Sequence, residues 1–376
     1  MKIVVACGGT GGHTFPGLAV AEELTARGHE VVVWHAGRAV EASVMKRWKG
    51  ATFATRARQL KPRYVFAIVR SIVRCRREMK RMKPDALLAM GSYSSLPPVL
   101  AAKSCGVPIV LHEANTVPGK AVEFLSRYAK VVATSFEMTA TCLKNVKTVR
   151  TGLPIRTDIT QGKRFDFIPA NAFVVFVTGG SQGAHAVNEL MSEAVVMMAK
   201  ELAKRENLPR GLYVIHQTGV KDEEAVQKIY AAANLPSRVH AFEQEMANAF
   251  ASADIVVARA GASTCFELAA CAKPALLIPL PSALRDHQHY NAEAFAAKGA
   301  ADEGIQAKLT ARQICRYLVQ KYDHPEQLEA MREKMKTLAV DDAAARVANL
   351  VDATRAAASS TASVFIFSRI ASSCSG

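Results

Sequence analysis

The sequence predicts an α/β protein made of two doubly wound domains that face each other across a cleft. Two short apolar strands each run straight into a glycine-rich turn. The first turn is Gly8-Gly9-Thr10-Gly11-Gly12-His13 and the second is Gly179-Gly180-Ser181-Gln182-Gly183, 171 residues further on. Strands without polar alternation, as in parallel sheets covered on both faces, alternate with helical stretches in both halves. At 376 residues and 50% hydrophobic content, the chain is long enough to bury two ordinary cores.

Taken in order, the first half reads as strands at 3–6, 31–35, 86–90, 109–112 and 131–134, with helices at 15–27 and 97–105 among those between them. The second half reads as strands at 173–178, 212–217, 239–242, 255–258 and 275–278. Its helices include 184–204, 223–233 and 264–271. The boundary is expected within 152–170, where Pro154, Gly162 and Pro169 accompany little apolar periodicity. The domains are therefore set at 1–158 and 159–340. An alanine-rich helix over 341–358 follows the last strand, and the sequence leaves open whether it crosses back to the first domain. Residues 359–376 are rich in Ser and Ala, with one short apolar run at 364–367, and read as a frayed tail or a weak surface anchor.

Eight scattered cysteines without a C-x-x-C pair argue against a zinc site or a disulfide framework, and for a reducing, cytosolic compartment. The first residues read as a strand rather than a signal peptide. No apolar run approaches the ~20 residues a spanning helix needs, so a soluble protein is expected. The net charge of +15 is concentrated: Arg56 to Lys83 contains eleven Lys/Arg and one acid, Glu78, which is +10 of the total. Such a block reads either as a surface for an anionic partner or as a solvated helix face. No nucleic-acid module or aromatic platform accompanies it, which argues against nucleic acid.

Neither glycine turn fits the dinucleotide fingerprint. Counting from Gly9, the third glycine falls on Thr14, and no acid closes the second strand, where His35-Ala36-Gly37 follows. No G-K-[ST] follows either turn, which excludes a Walker loop. A third strand–turn–helix junction is Arg259-Ala260-Gly261-Ala262-Ser263-Thr264-Cys265-Phe266-Glu267. Glu267, expected in the first helical turn, suits a vicinal diol such as a ribose; a capping box with Ser263 or Thr264 explains it equally well. Asp286-His287-Gln288-His289 has the wrong order for a known metal site, and Gln288 suits sugar hydroxyls better. His13 ends the first glycine turn. Glu113 lies just past a strand's carboxyl end, where open α/β sheets bind ligands.

Together these segments resemble the MurG family of peptidoglycan glycosyltransferases. The matching stretches are 8–19 (GGTGGHTFPGLA), 91–98, 112–119 (HEANTVPG), 151–158 (TGLPIRTD), 179–184 (GGSQGA), 259–279 and 286–292, in family order and spacing over nearly the whole chain. The resemblance implies the glycosyltransferase B architecture of two Rossmann-like domains, with 1–158 on the acceptor and membrane side and 159–340 on the donor side. It implies transfer of N-acetylglucosamine from UDP-N-acetylglucosamine to the C4 hydroxyl of the muramoyl sugar of lipid I, with inversion, giving lipid II at the cytoplasmic face of the membrane. By position, Thr10, Gly11, Gly12, Asn115, Arg156, Ser181, Ala262, Ser263, Thr264, Cys265, Phe266, Glu267 and Gln288 would be the substrate-binding residues of the donor site. Glu267 would hold the ribose, Ser181 the diphosphate, and Arg156 the leaving group's charge.

The chain departs from the family pattern in three places. Gly91-Ser92-Tyr93-Ser94-Ser95-Leu96-Pro97 stands where G-G-Y-x-S-G-P is usual, Gln288-His289 where two glutamines are usual, and Ala114 where glutamine is usual. His13 is the first choice of general base, since an imidazole titrates near working pH, and Glu113 is the alternative or the orienting partner. No D-x-D motif is present and no cofactor is expected. In the basic block Tyr64, Val65, Phe66, Ile68, Val69, Ile72 and Val73 interleave with Arg63, Arg70, Arg74, Arg76 and Arg77, which fits an anionic leaflet. Two rival readings remain at this stage: a sugar-nucleotide epimerase on the same double fold, and a non-catalytic peripheral membrane adaptor.

Overall fold

A computed structural model describes residues 1–9, 11–38, 41, 44–59 and 61–359, with side chains described as far as residue 354. The chain forms two compact units: Met1–Arg156 with the chain from Val340 onward, and Thr157–Ala339. Thr10 and the tail from residue 360 lie outside the described residues.

In the first unit the order is β1 (Lys2–Ala6), α1 (Gly11–Ala26), β2 (Glu30–His35), β3 (Ala51–Ala54), α2 (Val65–Met82), β4 (Ala86–Ala89) and α3 (Leu96–Ser104). Then follow β5 (Ile109–Glu113), α4 (Lys120–Ser126), β6 (Val131–Thr134), a one-turn helix α5 (Thr139–Cys142) and β7 (Thr148–Arg150). The sheet runs β3-β2-β1-β4-β5-β6-β7 and is parallel throughout, with Ile3 opposite both Val31 and Ala86. The β-branched residues of its inner strands β2, β1, β5 and β6 are buried on both faces. Helix α1 packs one face close: a Cβ on Gly17 would lie 2.3 Å from that of Cys7, so only glycine fits there.

The second unit holds β8 (Phe173–Thr178), α6 (His185–Leu202), β9 (Leu212–Gln217), α7 (Glu223–Ala232), β10 (Ser237–His240), α8 (Met246–Ser252) and β11 (Ile255–Ala258). It continues with α9 (Ala262–Ala270), β12 (Ala275–Leu277), α10 (His287–Ala296), β13 (Ala301–Glu303), α11 (Ala311–Asp323) and α12 (Pro325–Lys336). This sheet is also parallel, in the order β10-β9-β8-β11-β12-β13. Helix α13 (Ala343–Ser359) then belongs to the first unit. Its Val347, Ala348, Leu350 and Val351 share a core with Leu18, Val20 and Leu24 of α1. Arg27 ties the same pair of helices through Asn349 at 2.7 Å and Asp352 at 3.0 Å.

In each sheet the strand order reverses beside the first strand of the unit, between β1 and β4 and between β8 and β11. Open α/β sheets bind ligands outside the carboxyl ends of strands at that point. Both glycine turns, the Ser92 segment and the Gly261 junction all leave from there. The fold therefore delivers the singled-out motifs to one edge of each unit.

Candidate functional site

In the first unit, Gly11–His13 already form the first turn of α1, so His13 stands on the helix rather than at the end of the preceding turn. Its Nδ1 lies 2.9 Å from the carbonyl oxygen of Met90, at the end of β4. A carbonyl only accepts, so Nδ1 carries the proton and Nε2 of the neutral ring is the acceptor nitrogen. That tautomer suits a general base.

Glu113 is the last residue of β5. It is 3% exposed. One carboxylate oxygen accepts the N–H of Asn115 at 2.9 Å and its side-chain amide at 3.2 Å, and the other accepts Gly119 N–H at 3.0 Å. Burial pushes its pKa up, while those N–H groups pull against the rise. Glu113 thus braces the 114–119 loop through both carboxylate oxygens. Arg156, at the end of this unit's first segment, stacks over the Phe15 ring on α1 at 5.5 Å.

One residue at this edge went unnoticed in the sequence. Glu41, 1% exposed, accepts backbone N–H groups from Gly9 (2.6 Å), Gly37 (2.9 Å) and Arg38 (3.2 Å), with His35 Nδ1 at 3.4 Å. Burial pushes its pKa up, but His35 and the three N–H groups outweigh it and hold it below the ordinary 4.5. A folded pKa below the unfolded one adds stability that is complete above the unfolded value and lost as pH falls through the folded one. Glu41→Ala should therefore lower the unit's stability by about 2–4 kcal/mol, since buried donors lose their acceptor. In thermal unfolding, the gap from the parent should be full at neutral pH and shrink below about pH 4.5. A pH-independent gap would assign the loss to packing instead.

In the second unit, the turn after β8 is built by its own strands. Gln217 donates to Gly180 O at 2.8 Å, and Gly183 lies so close to β9 that a Cβ there would be 2.0 Å from Thr218 O. Ser181 is exposed on this turn, just ahead of α6. The Gly261 junction starts α9 at Ala262 with Gly261 as N-cap and no side-chain cap bond. Ser263 and Thr264 thus lie inside the helix, the capping box does not form, and Glu267 falls in the second helical turn rather than the first. Ala262, Ser263 and Thr264 present first-turn N–H groups.

Cys265 and Phe266 turn to the core instead. The Cys265 thiol is fully buried, which pushes its pKa up to about 12, and Phe266 packs edge-on against Phe295 at 6.0 Å. The Cys265 N–H is already taken by Gly261 O at 3.0 Å. Gln288, on α10, accepts Leu280 N–H at 3.0 Å, so its amide NH₂ is what it has to offer a ligand. Arg259, also missed, is buried and donates to Ile278 O (3.2 Å), Pro279 O (3.0 Å) and Gln306 (2.7 Å), fixing the same loop. His289 pairs with Glu303 at 2.6 Å.

Comparison with known proteins places the chain in a family. Residues 3–134 match the glycosyltransferase family 28 N-terminal domain, and residues 174–347 match its C-terminal domain. The chain is 35% identical over 364 residues to a UDP-N-acetylglucosamine–N-acetylmuramyl-(pentapeptide) pyrophosphoryl-undecaprenol N-acetylglucosamine transferase of Myxococcus xanthus, covering 93% of this chain and 92% of the relative. A transferase of the same name from Gloeothece citriformis is 35% identical, covering 93% and 95%. The solved structure of MurG from Acinetobacter baumannii matches with a TM-score of 0.74 and 31% identity, covering 93% of this chain and 98% of that one. A UDP-N-acetylglucosamine 2-epimerase has a TM-score of 0.68 at 14% identity, covering 93% and 95%, and so shares the fold alone. With both family 28 domains matched and full-length relatives at this identity, the chain belongs to the MurG family of glycosyltransferases.

Proposed function

We propose that this protein transfers N-acetylglucosamine from UDP-N-acetylglucosamine to the muramoyl C4 hydroxyl of lipid I, forming lipid II with inversion at C1. The observation that carries the donor half is the pairing of two ligand-binding features at the carboxyl ends of adjacent strands. The glycine turn with Ser181 follows β8, and the α9 start with Glu267 follows β11. A diphosphate on the first and a ribose diol on the second lie side by side as they do in a UDP-sugar. Gln288 gives N–H donors to the sugar, and Ala262 to Thr264 add backbone N–H groups. Arg156 is assigned to the leaving diphosphate by position alone, as a source of positive charge.

The acceptor half belongs to the first unit. His13 Nε2 takes the proton as the hydroxyl attacks, while Gly11 and Gly12 put backbone N–H groups at the start of α1. Asn115 stands on the loop that Glu113 braces. By position, Thr10, Gly11, Gly12 and Asn115 are assigned to the donor. The activity is tested by following UDP release from UDP-N-acetylglucosamine with and without a short-chain lipid I analogue. Release that depends on the acceptor supports transfer; turnover of donor alone to an epimer defeats it.

Among the described residues, no helix is long and apolar enough to cross a membrane. Peripheral binding to the anionic cytoplasmic leaflet of the inner membrane is proposed instead, through α2. On α2, Ser71, Cys75 and Met79 are buried, whereas Val65, Val69 and Val73 form a second stripe at four-residue spacing that is 43–53% exposed, with Phe66 at 90%. Arg74 is tied to the Phe53 ring and to Ala54 O, Arg76 to Ser104 and Arg81 to Glu78, leaving Arg70, Arg77 and Lys80 as outward cations of the helix, with Arg63, over the Tyr64 ring, exposed just before it. Replacing these four with Gln should weaken binding to anionic vesicles about 10²–10³-fold, at ~1 kcal/mol per charge. Turnover of a soluble short-chain acceptor should hardly change. Vesicle binding equal to the parent's would make α2 an ordinary solvated helix.

A further inference from the structure

The peptide unit joining Gly8 to Gly9 is held at both ends by side chains from other elements of its unit. Its N–H donates to Glu41 at 2.6 Å, and its carbonyl oxygen accepts from Ser92 Oγ at 2.9 Å and Ser94 Oγ at 2.8 Å. The next carbonyl, that of Gly9, accepts from Arg38 at 3.1 Å. Ser92 is the strained member of this clamp. It stands at φ 69°, ψ 168°, a region only glycine adopts without strain, directly after Gly91 at φ 76°. Its hydroxyl is fully engaged there: besides Gly8 O it meets Ser94 Oγ at 2.6 Å and accepts Ser94 N–H at 3.2 Å. The same short turn begins at Met90, whose carbonyl holds the His13 ring.

We infer that Ser92 is a positioning residue for the transfer reaction. Its hydroxyl sets the plane of the Gly8–Gly9 peptide, and with it the entry into α1, on which His13 stands. Strain at a non-glycine residue persists where the surroundings over-determine it, and here the surroundings are the glycine turn and the ring of the proposed base. The inference rests on the proposed role of His13.

Two variants separate the hydroxyl from the strain. Ser92→Ala keeps the strained backbone without the hydroxyl, and Ser92→Gly removes both. The glycine variant should melt about 2–4 °C above the alanine variant, since it relieves strain. Both should nevertheless lose kcat by a similar factor, roughly 10-fold, because a misplaced catalytic group loses rate without losing substrate. KM for UDP-N-acetylglucosamine and the short-chain acceptor should stay near the parental values. In both, amide exchange at Gly9 should quicken roughly 10-fold as its peptide loses one anchor.

Parental kcat and parental Gly9 exchange in both variants would overturn the inference. So would a glycine variant with full activity beside a crippled alanine variant, because the hydroxyl would then serve only to hold a strained backbone that glycine adopts without it. A raised acceptor KM at parental kcat would make Ser92 a substrate contact instead. Failure of the parent itself to transfer sugar would defeat the proposed activity, and Gly9 exchange would still decide whether Ser92 holds the turn.

Discussion

His13→Asn is expected to lower kcat by roughly 10²–10⁴-fold while leaving UDP-N-acetylglucosamine affinity nearly unchanged. Asparagine is the informative substitution because its side-chain N–H₂ can donate to Met90 O much as Nδ1 does now. The tie between α1 and β4 is then kept while the acceptor nitrogen is lost. A helix that merely needed the tie would keep its activity in Asn and lose it in Ala. A base is lost in both. Steady-state kinetics on the two variants, with donor affinity measured by calorimetry, separates these cases. A near-normal kcat in His13→Asn would remove the imidazole from the chemistry.

Glu267→Ala is expected to weaken UDP binding about 10–100-fold. The ribose hydroxyls would lose a charged acceptor, and hydrogen bonds to charged groups are each worth about 1.5–3 kcal/mol. The helix should tolerate the change, because α9 is capped by Gly261 with no side-chain bond, so Glu267 serves no cap. Unfolding temperature and UDP affinity are therefore predicted to part company. A variant that loses stability and keeps its affinity would return Glu267 to a structural role.

The interior of the fold was legible in the sequence, and the margins were not. Strands β1, β2, β4, β5, β6, β8, β9, β11 and β12 are the ones buried within the sheets or carried by long apolar runs. The three strands without a sequence signal, β3, β7 and β13, all lie at sheet edges. An edge strand is half-exposed and needs no continuous apolar run, so Ala51–Ala54, Thr148–Arg150 and Ala301–Glu303 carry little pattern. The edge strand β10 was read two residues late, at 239–242, whereas pairing stops at His240 and Phe242 is 52% exposed.

The site divides in a similar way. Glycine turns announce themselves, since few other residues permit such backbone. What holds them does not: Glu41 and Ser92 act on the first turn from 32 and 84 residues away, through single contacts that no local pattern encodes. Cys265 and Phe266 show how a motif is divided by its helix. A contiguous motif suggests contiguous contact, but a helix turns part of any six-residue run inward, and these two face the core.

The most direct test of the account is the identity and configuration of the product formed from labelled UDP-N-acetylglucosamine and a short-chain lipid I analogue. The predicted product is a disaccharide whose new bond joins C1 of N-acetylglucosamine to O4 of the muramoyl sugar in the β configuration, with one UDP released per bond. A product with the α linkage, or epimerised sugar nucleotide formed at the same rate without acceptor, would contradict it.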